Sequence, residues 1–106
     1  MMKRKQVENM LDLTGIEYRY HHFKEREAID PPFIVWLVAD SDNFAADGIA
    51  YYKIDKLNIE VYTDEKDFDL EEKIETILTQ HDIYFDKTES FIESETMYEV
   101  LYEMEV

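Results

Sequence analysis

Metal ligation and acid–base catalysis are the chemistries that His21-His22, His81 and the abundant carboxylates would carry. Neighbouring side chains of a strand point to opposite faces, so His21 and His22 are not expected to hold one ion from one side. His81 falls at the end of an apolar helical stripe, where a capping or partly buried role is expected. Asp40-x-Asp42 with Asp47-Gly48 hints at a calcium loop. Against the EF-hand pattern, however, Phe44 takes the fifth position, Ala45 that of the required glycine and Tyr51 that of the bidentate glutamate. Carboxylate pairs occur throughout, so none stands out, and acid–base work needs an environment that shifts a pKa. Ser41, Ser90 and Ser94 lie in no nucleophile motif. The chain has no Cys, which removes thiolate ligands, cysteine nucleophiles and disulfides. Two Gly are too few for a Walker loop or a dinucleotide fingerprint. No catalytic, cofactor-binding or metal site is expected, and the chain does not read as an enzyme.

Any other function must come from surfaces. The 106 residues hold 26 Asp and Glu against 11 Lys and Arg, a formal charge of −15. Residues 1–26 carry a local net charge of +2, residues 27–63 carry −5 and residues 64–106 carry −12. Such an asymmetry lets oppositely charged surfaces meet in an assembly. Direct binding to nucleic acid is not expected, because phosphate contacts rest on clustered Lys and Arg. The basic start, Lys3-Arg4-Lys5, is followed by Gln6, Glu8, Asn9 and Asp12 rather than an apolar signal segment. The longest apolar run, Phe33 to Ala39, is too short to span a bilayer.

The elements that would present these surfaces follow from periodicity. Residues 3–14 read as a helix, with Val7, Met10, Leu11 and Thr14 at helical spacing and Gly15 as a stop. Residues 16–23 alternate as a strand. Residues 24–32 end in Asp30-Pro31-Pro32, which excludes helix and central strand there. Phe33 to Ala39 reads as a strand apolar on both faces. Residues 40–48 read as a reversing loop, with the tight turn at Asp47-Gly48. Residues 49–62 return as a long strand with a bulge near Asp55-Lys56. Residues 67–81 form a second helix, capped by Asp67 or by Asp69 in a capping-box spacing with Glu72. Residues 83–92 and 97–105 close the chain as two strands joined by Glu93-Ser94-Glu95-Thr96. The expected architecture is α+β, a single domain over residues 1–106. Two helices pack on one face of a mainly antiparallel sheet of about five strands, in the order α-β-β-β-α-β-β.

Two helices cannot cover both faces of such a sheet, and the chain carries eight Tyr, six Phe and one Trp. Phe44, Trp36 and Tyr52 are therefore the aromatic interface candidates, and Lys3, Arg4 and Lys5 the charged ones.

Three stretches, Pro32 to Leu37, Asn43 to Gly48 and Leu57 to Asp64, resemble small proteins of tailed phages and prophages of Gram-positive bacteria. So do Phe91 to Glu95 and Met97 to Met104. The element order is also similar to that of phage tail terminators. The resemblance implies a structural protein of tail completion or head–tail joining that self-associates, with a hexameric ring favoured. It would contact tail-tube or head–tail connector proteins, in the bacterial cytoplasm during assembly and in the virion afterwards. The competing class is an acidic DNA mimic that occupies a DNA-binding protein, with Glu93, Glu95, Glu99, Glu103 and Glu105 as the start of a carboxylate array.

Overall fold

Helix α1 spans Arg4–Asp12 in the computed structural model, which describes residues 2–24, 29–46 and 49–106, with the backbone alone for 40–46 and 49–54. The turn expected at Asp47-Gly48, and residues 25–28 of the polar segment, lie outside the described residues. Val7, Met10 and Leu11 form the buried stripe of α1. At its start the Lys3 backbone N–H donates to Gln6 Oε1 at 2.7 Å. Gly15, at φ +73°, completes the stop in a conformation that costs glycine little.

Strand β1 covers Glu17–Tyr20. It is shorter than the alternation of residues 16–23 suggests because His21 takes φ +70° and turns the chain away. The His21 N–H still reaches Trp36 O at 2.8 Å. Strands β2 (Phe33–Ala46) and β3 (Ile49–Thr63), helix α2 (Phe68–Gln80), and strands β4 (Phe85–Ile92) and β5 (Met97–Glu105) follow. The five strands lie in the order β1-β2-β3-β5-β4, so β1 and β4 are the edges. β1 runs parallel to β2, and the other pairs are antiparallel. A parallel pair needs a crossover of about a dozen residues, which the stretch between Tyr20 and Phe33 supplies.

One face of the sheet carries the core. Ile34 pairs with Val61, and Trp36 with Ile59. Val61, Ile59 and Leu57 pair in turn with Val100, Tyr102 and Met104. These rows join Val7, Met10 and Leu11 of α1 and Leu70, Ile74, Ile77 and Leu78 of α2 in one apolar cluster. Both helices thus lie on the same face, as expected. Asp67 caps α2, its Oδ1 accepting from the Leu70 N–H at 3.0 Å, and Asp69 instead sits in the first turn. His81 is the C-cap and exposed, with Nδ1 2.8 Å from Ile77 O.

Three expectations are corrected. Residues 40–46 are not a loop: β2 continues through them, paired with β3 as far as Ala46 and Ile49. Asp, Ser and Asn disfavour strands, but a ladder with Ile49–Lys56 overrides that local preference. Phe44 is therefore a strand residue, the cross-strand partner of Tyr52. A register shift does fall beside Lys56, but its extra residue is on β2, with Ala39 unmatched between the Val38–Leu57 and Asp40–Lys56 pairs. A second shift leaves Tyr51 of β3 unmatched between the Phe44–Tyr52 and Ala45–Ala50 pairs. Trp36 is not a spare surface aromatic: it is 3% exposed, because its register places it in the row with Ile59 and Tyr102.

Candidate functional site

His21 and His22 approach each other more closely than strand geometry allows, with their Nδ1 atoms 3.1 Å apart. The strand has already ended at Tyr20, so opposite-face reasoning does not apply to them. They remain a pair: no group of three or more His, Cys, Asp or Glu is arranged to hold a metal among the described residues.

The other polar constellations brace elements. Glu71, buried in α2, receives Lys66 Nζ at 2.5 Å and Lys87 Nζ at 2.8 Å. Lys66 also pairs with Glu89, and Lys87 with Glu75 at 2.9 Å. Burial alone would raise the Glu71 pKa, but the two ammonium groups outweigh it and hold the carboxyl below its ordinary value. The Tyr102 hydroxyl, buried and donating to Glu75 Oε2 at 2.8 Å, is held well above the usual phenol range. The network thus clamps α2 to β4 and β5. At the other end of the sheet the Tyr18 hydroxyl donates to Asp12 Oδ1 at 2.6 Å, which pushes its pKa up to about 12. Lys73 Nζ donates to Thr14 O at 3.0 Å and ties α2 to the end of α1.

The face of the sheet away from the helices is mixed. Val35 is buried there and Phe33, Leu37, Tyr62 and Leu101 are half-buried. Phe33 stacks on Tyr62 with ring centres 5.0 Å apart. Tyr62 donates to Glu60 Oε1 at 2.6 Å. Burial and the neighbouring Glu60 raise the pKa of Glu99 beside it, while the Tyr62 hydrogen bond acts in the opposite sense. These groups can form a contact surface, but they include no nucleophile with a partnered base.

Lys3, Arg4 and Lys5 are exposed at the start of α1. Arg4 Nε pairs with Glu8 Oε1 at 2.9 Å, a surface pair of small energetic weight. Beside Arg4 lies a groove of about 330 Å³, lined also by Met2, Val7, Tyr20, Val38 and Leu57. Tyr20 and Val38 stay 45% and 41% exposed although their rows lead into the core. A nine-residue helix is only about 14 Å long and does not reach over them. This groove escapes sequence reasoning, because alternation alone predicts both residues to be covered.

The second surface is the ribbon beyond the sheet. β1 pairs with β2 only over Phe33–Trp36, and β5 pairs with β3 only over Lys56–Thr63. Asp42–Ala46 and Ile49–Ile54 pair with each other and with no third strand among the described pairings. Five residues of the outgoing strand, Asp42–Ala46, project roughly 17 Å, and the longest dimension of the molecule is 50 Å. Phe44 and Tyr52 occupy facing positions in this ribbon, and Trp36 lies apart from them in the core. Phe68, Tyr84 and Phe91 are exposed at 72%, 83% and 47%, and no periodicity singled them out.

No family model matches the chain, and no curated protein matches it.

Proposed function

We propose that the chain is a structural protein of phage or prophage assembly that acts at the head–tail junction or tail end. In this reading it is of the tail-terminator or completion type and works through contacts with copies of itself and with tail-tube or connector proteins. The observation that carries the reading is the ribbon of Asp42–Ala46 and Ile49–Ile54, which pairs with no third strand among the described pairings. An isolated two-stranded hairpin is marginal in water, so a ribbon carrying Phe44, Tyr51, Tyr52 and Ile54 gains from a partner. The resemblance of stretches that cover most of residues 32–106 to small phage proteins supports the same reading. So do the two open sheet edges, β1 and β4. A ring is built from heterologous contacts between two different patches of one subunit, and a hexamer is favoured by the resemblance.

Mass spectrometry of purified particles from the host that carries this sequence tests the proposal. The chain is expected there at a low copy number relative to the tail-tube protein. Its absence from particles, with salt-sensitive binding to a nuclease or repressor instead, would replace this reading with the acidic-mimic one.

A further inference from the structure

Strand β4 is the longer of the two open edges. β5 takes one side of its backbone, and no strand takes the other among the described residues. Edge strands are commonly blocked by short length, by Pro, by a bulge or by an inward charge. β1 is blocked in this way, being four residues long and turned away at His21. β4 has no Pro, and its eight residues pair with β5 one for one, from Phe85–Met104 to Ile92–Met97. Its charge on the helix side, Lys87, is already met by Glu71 and Glu75. The outward N–H and C=O groups of such an edge recognise one kind of partner, an extended strand.

The residue order of β4 selects the strand. Phe85-Asp86-Lys87-Thr88-Glu89-Ser90-Phe91 is nearly its own complement about Thr88. We infer that β4 of one copy pairs antiparallel with β4 of a second copy about a two-fold axis at Thr88, which joins the two sheets edge to edge. In that register Lys87 faces Glu89, Phe85 faces Phe91 and Asp86 faces Ser90, so no like charges meet. Centring the pair on Lys87 or on Glu89 instead sets that charge against its own copy. Phe85, Lys87, Glu89 and Phe91 all lie on the helix side, in register with Met104, Tyr102, Val100 and Tyr98, so the facing residues share a face. Glu89 already pairs with Lys66, and the Lys87–Glu89 contacts extend that alternating network across the axis. The pairing also brings Tyr84 and Phe91, 83% and 47% exposed in the single chain, against Ile92 and Phe85 of the second copy. Each copy brings a net charge of −12 over residues 64–106, a repulsion that physiological salt screens. An isologous contact closes on itself as a dimer, so this inference goes beyond the ring proposed above and does not depend on it.

The absence of native Cys lets the register be tested directly, since any disulfide arises from introduced residues alone. Asp86→Cys and Ser90→Cys are prepared separately, mixed and oxidised. Directly opposite residues of an antiparallel pair lie within disulfide reach. The expected product is a linked dimer containing one of each, with little from either variant alone, while Thr88→Cys links to itself. In a second arm, sedimentation equilibrium of the parent chain at physiological salt should show association that begins with a dimer. Ser90→Asp sets an acid against Asp86 on both sides of the axis and should weaken the dimer about tenfold. Asp86→Lys in the same chain should restore it, which separates a broken contact from a misfolded protein. Self-links of Asp86→Cys or Ser90→Cys as abundant as the mixed link would overturn the pairing. So would a parent chain that stays monomeric at every concentration, or a Ser90→Asp chain that dimerises as the parent does.

Discussion

Glu71 is the residue whose charge is most firmly fixed by its surroundings, with Lys66 and Lys87 both on its carboxylate. Its pKa is lowered from the ordinary 4.5, so its contribution is present above that value and is lost as the pH falls through the folded-state pKa. Glu71→Gln should therefore lower the unfolding free energy at neutral pH by about 1–3 kcal/mol. The gap between variant and parent in thermal melts should close on acidification. A gap that stayed constant to acid pH would show that packing rather than charge is lost. Trp36 makes the opposite point about side chains read as interfaces. At 3% exposure, with Tyr20 edge-on at 4.7 Å, it belongs to the fold. Trp36→Ala should cost about 3–5 kcal/mol of stability in the isolated chain. A variant with parental stability that only failed to assemble would return Trp36 to the interface.

At the scale of elements, the helices and inner strands were legible because their signals are local and redundant. Leu70, Ile74, Ile77 and Leu78 recur at helical spacing and all are buried. Leu57, Ile59 and Val61 alternate and all face the core. What the sequence did not reveal depends on partners far along the chain. Asp40 to Asn43 favour a turn by composition, yet they extend because β3 pairs with them. The choice between Asp67 and Asp69 as cap depends on where the first helical turn begins, which spacing leaves open and the Leu70 N–H settles. Asp67→Ala should accordingly cost about 1 kcal/mol by denaturant melts. Asp69→Ala should cost distinctly less, and equal losses would contradict the assignment. The candidate site was half legible: Phe44 and Tyr52 come together in the ribbon, and Lys3, Arg4 and Lys5 are exposed. The groove was not legible, because it is made by the short reach of α1 over Tyr20 and Val38.

For the whole molecule, the topology turns a charge gradient along the chain into one across the sheet. The basic start enters α1, held against β1 through Tyr18 and Asp12. The last 43 residues, net −12, form α2, β5 and the edge strand β4. Opposite edges of the sheet therefore differ in charge, and the projecting ribbon adds a third surface. Unlike surfaces are what the heterologous contacts of the proposed ring would require. No helix among the described residues is long and apolar enough to cross a membrane. The measurement that tests the assembly role most directly is electron microscopy of particles from the host, labelled with an antibody against this chain. The account predicts label at one place on each particle, the head–tail junction or the tail end. Unlabelled particles in preparations where the chain is abundant in the lysate would contradict it.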